Sequence, residues 1–174
     1  MSVIFKDENE SWKINFSSAL WATDKLHEIF SVIKDSFLSD VDFVAETKDF
    51  VLFVESKNSN FKEAKHKFKP HETEKIISVA RKYYDSLVYI RSLIEDRNKK
   101  KIYIYLLESR NGDTNLRKSV RNRLKDRLPF KLQRNDGLYE TMIDDFDVLS
   151  FAEWNKRFKQ FPAERLKNPV TDNG

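Results

Sequence analysis

Cysteine is absent from this 174-residue chain, and glycine occurs only three times. The lack of cysteine excludes disulfides, thiolate zinc sites and cysteine nucleophiles, and it is typical of a reducing cytoplasm. Neither the G-x-G-x-x-G nor the Walker A pattern of nucleotide-binding loops is present. No apolar run approaches the roughly 20 residues that cross a bilayer, and the N-terminus lacks the features of a signal peptide. We therefore expect a cytoplasmic protein without a membrane partner.

Charge is unevenly distributed along the chain. Residues 56–134 contain 22 Lys and Arg against 9 Asp and Glu, whereas residues 1–55 contain 5 against 11 and residues 135–174 contain 5 against 8. A basic middle between acidic ends is typical of a surface that contacts a polyanion such as nucleic acid. The same composition is typical of a solvated, lysine-rich surface, and charge alone does not decide between the two.

Hydrophobic periodicity predicts a mixed series of helices and strands. The predicted elements are a helix at 17–38, a hairpin with strands at 41–46 and 50–57, a helix at 73–96, a strand at 101–107, a helix from 114 that ends before Pro129, short strands at 131–134 and 145–150, and a helix at 151–158. Mixed strands with helices on both sides predict a three-layer α/β/α sandwich with a mixed central sheet. We expect one domain over residues 1–162 and a loose tail over residues 163–174.

Two acidic residues belong to the predicted hairpin, because Asp42 begins its first strand and Glu55 follows the apolar run of its second. If Lys48 and Asp49 form a two-residue turn, Asp42 faces Glu55 with a Cβ separation of about 5 Å. A register shift of one residue would place the two on opposite faces. Carboxylates this close repel each other unless a cation lies between them. Lys57 lies on the same face as Glu55, since side chains alternate along a strand.

This set of residues suits metal-dependent hydrolysis of phosphodiesters. Asp42, Glu55 and the backbone carbonyl of Ser56 would hold Mg²⁺, or Mn²⁺ in its place, because these ions prefer oxygen ligands. Lys57 would orient or deprotonate the attacking water, or stabilise the developing charge. The alternative is that the strand reaches the surface at Glu55 and the charges are solvated.

The stretch VDFVAETKDFVLFVESKNS resembles the core motif of the PD-(D/E)XK nuclease superfamily, which has the restriction-endonuclease-like fold. That pattern places an aspartate near the start of one strand and Glu/Asp-x-Lys at the end of the next, with a helix before and a helix after. The chain has Asp42, twelve intervening residues and then Glu55-Ser56-Lys57. The resemblance covers the predicted elements from about Ser17 to Leu128. It implies a Mg²⁺-dependent nuclease in which Asp42, Glu55 and Lys57 are catalytic.

Three features depart from that pattern. Val41 replaces the proline that precedes the family aspartate, and the Gln-x-x-x-Tyr motif of some members is missing from the helix after the hairpin. Many members place a further glutamate on the first helix. Glu28 and Glu10 are the candidates here, and Glu28 lies almost opposite the apolar stripe of its predicted helix.

Basic residues in two segments are candidates for nucleic-acid contacts. Those after the hairpin are Lys62 and Lys65, and those on the helix that begins near Thr114 are Arg117, Lys118, Arg121 and Lys125. Each set could contact phosphates, and each could equally be a solvated surface.

Three functions remain open at this point. The first is a Mg²⁺-dependent endonuclease that acts on DNA. The second is a non-catalytic nucleic-acid-binding protein that keeps the nuclease fold. The third is an interaction protein whose acidic ends contact the basic middle of a second copy, which would make it a homodimer.

Overall fold

The computed structural model describes residues 3–7, 10–58, 69–108 and 114–166. Within these ranges the chain forms eight strands and four α-helices. The strands are β1 (Ile4–Lys6), β2 (Trp12–Asn15), β3 (Trp21–Thr23), β4 (Phe43–Glu46), β5 (Phe50–Asn58), β6 (Lys100–Glu108), β7 (Asp145–Leu149) and β8 (Ala163–Arg165). The helices are α1 (Leu26–Phe30), α2 (Thr73–Ile90), α3 (Thr114–Lys125) and α4 (Phe151–Arg157).

A mixed five-stranded sheet in the order β3-β4-β5-β6-β7 forms the centre of the molecule. β3, β4 and β5 are antiparallel neighbours, whereas β5, β6 and β7 run parallel. Parallel neighbours need crossover connections, and the segments containing α2 and α3 provide them. The predicted mixed α/β class and mixed central sheet are therefore confirmed.

Each face of this sheet is covered by its own apolar cluster. Apolar residues of α2 and α3 pack on one face, around the side chains of Phe53 and Tyr103. The other face packs against α4 and a three-stranded sheet in the order β1-β2-β8, with Trp12 and Trp154 fully buried there. Helices thus lie on both faces as predicted, but the second outer layer is part helix and part sheet.

The predicted first helix at 17–38 is confirmed only for Leu26–Phe30. Residues Trp21–Thr23 form β3 at the edge of the sheet and pair with β4, and the helix spans only Leu26–Phe30. The apolar stripe that predicted a longer helix continues beyond it, but Phe37 is exposed and Asp35 has a positive φ of 54°. The backbone hydrogen bonds of residues 21–23 are made with β4, so these residues form a strand and not a helix. At Asp35 the backbone is left-handed, and a right-handed helix cannot continue through it.

Further boundaries differ from the predictions, and α2 ends at Ile90 and not at residue 96. The segment predicted as a strand at 131–134 is a short 3₁₀ turn over Leu132–Arg134. The Gln133 side chain joins this turn to the segment before β7, because its amide accepts the Ile143 N–H at 2.9 Å and donates to the Ile143 carbonyl at 2.8 Å. At the C-terminus, Ala163–Arg165 pair with β2, so the predicted loose tail is wrong for these three residues. Residues 167–174 lie outside the described part of the chain.

Among the described helices, none combines the length and the apolar composition that crossing a bilayer requires.

Ser150 and Glu153 form a capping box at the start of α4, and it allows a stability test. The Ser150 hydroxyl accepts the Glu153 N–H at 3.3 Å, and the Glu153 carboxylate accepts the Ser150 N–H at 2.8 Å. We expect Ser150→Ala to lower the free energy of unfolding by about 1 kcal/mol, measured by urea denaturation. Ser119→Ala, at an exposed position inside α3, is the matched control and should change it by less than about 0.5 kcal/mol. Equal effects of the two variants would contradict the capping role.

Candidate active site

The register of the β4–β5 hairpin brings the two predicted carboxylates together. Phe43 pairs with Val54 and Glu46 with Val51, and the Thr47 N–H donates to the Phe50 carbonyl at 2.8 Å to close the two-residue turn. Continued by one residue, this register places Asp42 opposite Glu55. The predicted register is confirmed.

Asp42 is held by the residue that follows Glu55. The Ser56 N–H donates to Asp42 Oδ2 at 2.9 Å, and the Ser56 hydroxyl donates to the same oxygen. The N–H and carbonyl of one strand residue point to the same side, so the Ser56 carbonyl is also directed towards the Asp42 side of β5. This is the orientation that the predicted role of this carbonyl as a metal ligand requires.

Glu55 is buried against the β6 residue that neighbours it, Tyr105. Both of its oxygens accept hydrogen bonds from Lys82 Nζ, at 2.8 and 3.0 Å. The side chain of Glu55 is 8% exposed and that of Lys82 28%. Burial, followed by the charge of Asp42, raises the pKa of Glu55 to about 8 in spite of Lys82. Burial alone would lower the pKa of Lys82, but the charges of Glu55 and Asp42 outweigh it and raise this pKa.

Lys82 also lies close to Asp42, with 4.0 Å between its Nζ and Asp42 Oδ1. The cation that a close carboxylate pair requires is therefore supplied by this side chain. Lys82 is not among the residues that the sequence predicts for this site. A long-range contact from helix to strand has no local sequence signal, apart from the position of Lys82 at the border of the apolar stripe of α2.

A row of polar residues on α2 positions the segment that leads into β4. Asp85 accepts the Ser39 N–H at 2.9 Å, and the buried Ser86 hydroxyl accepts the Val41 N–H at 3.0 Å. Together with Lys82 these residues occupy positions i, i+3 and i+4, which share one side of a helix. One side of α2 therefore fixes the backbone before Asp42 and also supplies the counter-ion of the carboxylates.

The carboxylates open onto a small polar cavity of about 90 Å³. Its lining residues are Asp7, Trp12, Asp42, Glu55, Ser56, Lys57, Asn58 and Lys82. A larger cavity of about 570 Å³ adjoins it and is lined by Lys6, Asp7, Asp24, His27, Leu38, Ser39, Asp40, Asp42, Phe43 and Lys82. Asp7, Asp42 and Lys82 line both, so the two form one cleft at the carboxyl end of β5.

Lys57 is exposed and lines the small cavity beside Asp42 and Glu55. The three predicted catalytic residues therefore border one space. Neither Glu28 nor Glu10 lines it; Glu28 is exposed on α1, and Glu10 forms an exposed ion pair with Lys6. Within the described residues, no group of three or more His, Cys, Asp and Glu side chains could hold a metal ion. The predicted ligand set contains only two such side chains.

The predicted nucleic-acid contacts divide into four groups. Arg117 is buried and pairs through Nε with Glu153 at 3.1 Å, so a phosphate contact would require this pair to open, and the predicted contact stays a prediction. Arg121 is half-exposed and pairs with Asp147 at 3.0 Å. Lys118 and Lys125 are exposed, and Lys125 Nζ lies 5.4 Å from the centre of the Phe130 ring. Lys62 and Lys65 lie outside the described residues.

Comparisons of the chain with protein-family models, with curated proteins and with solved structures find no match.

The pairing of Glu55 with Lys82 generates a stability prediction for the protein in EDTA. Measured above pH 8, where Glu55 is ionised, Lys82→Met leaves the Glu55 charge buried without its closest partner and should lower the free energy of unfolding by roughly 3 kcal/mol. Adding Glu55→Gln should restore most of this loss, because the amide carries no charge. Lys57→Met is the matched control at an exposed lysine of the same cavity and should change stability by less than about 0.5 kcal/mol. Additive losses in the double variant would show that the two side chains are not coupled.

Proposed function

We propose that this protein is a metal-dependent nuclease with a restriction-endonuclease-like fold that hydrolyses phosphodiester bonds in DNA. The observation that supports the proposal best is the shared cavity of Asp42, Glu55 and Lys57 at the end of a central strand. The order of hairpin, helix and parallel strand over β4, β5, α2 and β6 agrees with what the resemblance implies. The first helix agrees less well, because it spans only Leu26–Phe30.

The donor set is chemically suited to Mg²⁺ or Mn²⁺. Asp42 and Glu55 provide carboxylate oxygens and Ser56 a carbonyl oxygen, and these are the ligands that both ions accept. The raised pKa of Glu55 shows that its negative charge is only partly compensated by Lys82. A bound divalent ion would supply a water of lowered pKa and would neutralise charge on the phosphate.

The chain's own residues would position the reactants. Ser56 holds Asp42 through its N–H and hydroxyl, so this carboxylate has a fixed orientation before any ligand arrives. Lys57, exposed at the rim of the cavity, can donate to a non-bridging phosphate oxygen or orient the attacking water. Fixed groups of this kind lower the barrier because they need no reorganisation during the reaction.

The substrate would lie across the end of the sheet from which Lys57 projects. Lys118 and Lys125 are exposed on α3 and available for backbone phosphates. Contacts of this type give affinity without sequence information. The proposal therefore concerns phosphodiester chemistry and does not include a recognition sequence.

The second candidate is a nucleic-acid-binding protein with the same fold and no activity. It is favoured by one observation, the ion pair of Lys82 with Glu55, which gives the carboxylates a cation without any metal. A protein that only binds DNA needs no vacant metal position.

Cleavage assays on plasmid and single-stranded DNA test the proposal. We expect cleavage with Mg²⁺ or Mn²⁺ and none in EDTA. Asp42→Asn and Lys57→Ala should each reduce the rate about 100-fold or more, because each removes a group placed at the reacting phosphate. Lys57 is exposed, so its variant should remain folded, as circular dichroism can verify.

A variant of a remote lysine, Lys156→Ala on α4, is the control and should cleave like the wild type. Wild-type rates for Lys57→Ala at saturating Mg²⁺ would exclude the proposed role of Lys57. DNA binding by the wild type, without cleavage under any metal condition, would favour the second candidate.

The salt dependence of DNA binding tests the role of α3. If Lys118 and Lys125 contact phosphates, replacing both by Ala should flatten the slope of log K against log salt by up to about 2 units. Lys156→Ala with Lys159→Ala makes the same change of charge at exposed lysines in or just after α4 and should leave the slope unchanged. Binding is measured in EDTA so that cleavage does not interfere. Equal slopes for both double variants would show that α3 is only a solvated surface.

A further inference from the structure

We propose that Lys82 occupies the cation position of the Asp42–Glu55 pair, and that its ammonium group must leave before the pair can take a divalent metal. The inference rests on the proposed function, because it concerns the same candidate metal site. It adds a means of regulation: the lysine and the metal compete for one pair of carboxylates, and Lys82 sets the metal concentration at which the site fills.

The contacts of Lys82 make simultaneous occupation unfavourable. Its Nζ bonds both oxygens of Glu55 and lies 4.0 Å from Asp42 Oδ1. A Mg²⁺ ion lies about 2.1 Å from its ligand oxygens, so an ion on Glu55 would be within about 5 Å of the ammonium group. Glu55 is buried, and like charges this close repel strongly where water is excluded.

The structure also provides a place for the displaced group. Lys82 lines the larger cavity of about 570 Å³ as well as the small one. The larger cavity carries further carboxylates, those of Asp24 and Asp40. The flexible four-carbon stem of a lysine would let the ammonium group turn towards them while α2 stays in place.

Lys57 provides an internal comparison. It belongs to the same cavity and carries the same charge, but it is exposed and Lys82 is the lysine that bonds Glu55. A general effect of positive charge on metal affinity would act through both lysines. Direct competition would act through Lys82 alone.

Metal binding, measured without substrate, tests the proposal. Mn²⁺ affinity is determined by electron paramagnetic resonance and Mg²⁺ affinity by calorimetry for the wild type, Lys82→Met, Lys82→Arg and Lys57→Met. We expect Lys82→Met to bind both ions at least tenfold more tightly than the wild type. Lys82→Arg keeps a cation and should bind no more tightly than the wild type, and the gain for Lys57→Met should stay below threefold.

The wild-type protein gives a second measurement if Lys82→Met does not fold. The side-chain NMR signal of Lys82, assigned with the Lys82→Arg variant, should shift on saturation with Mg²⁺ as the ion pair breaks. If Asp42→Asn abolishes metal binding, the metal site itself is supported. In that case an unshifted signal, or equal affinity of Lys82→Met and the wild type, would overturn the competition alone. Absence of metal binding in every variant, or unchanged binding in Asp42→Asn, would instead overturn the proposed function and this inference with it.

Discussion

The buried carboxylate of Glu55 requires a positive charge beside it, and much of the surrounding structure meets this requirement. An uncompensated charge at this depth would be very costly. Lys82 supplies the counter-charge from α2, in agreement with the rotation of the helix that its buried apolar side requires. With this rotation set, Asp85 and Ser86 reach the backbone of residues 39–41 and place Asp42 opposite Glu55. One ion pair thus links the helix, the hairpin and the cleft.

Many basic residues of the segment 56–134 form ion pairs with acidic residues of the same chain. Arg117 pairs with Glu153, Arg121 with Asp147, and Lys101 with Glu140. In each pair the acid comes from the acidic C-terminal part of the chain. The excess of Lys and Arg in residues 56–134 therefore overstates the positive charge that a polyanion would meet. The contact between basic middle and acidic end, which the sequence suggested between two copies, exists within one chain.

Features with a local signal could be predicted from the sequence, and features that depend on distant contacts could not. The Thr47–Phe50 turn fixes the hairpin register, and Ser150 with Glu153 specifies the start of α4 within four residues. The apolar stripe of α2 likewise marks that helix. In contrast, nothing near Lys82 in the sequence distinguishes it from other helix lysines, and its contact with Glu55 arises only from the packing of α2 on the sheet. β3, the buried position of Arg117 and the pairing of β8 with β2 depend equally on partners far away in the chain.

The pairing of β2 with β8 has a consequence for the order of folding. Trp12 lies opposite Arg165 in this small sheet, so its formation closes a loop of about 150 residues, and the entropy cost of closure rises with loop length. The hairpin and the β5-α2-β6 unit close much shorter loops. The β1-β2-β8 sheet carries Trp12, which lines the small cavity, and we therefore expect this sheet to assemble late. In a nascent chain, Asp42 and Glu55 would then be in place before this sheet covers them.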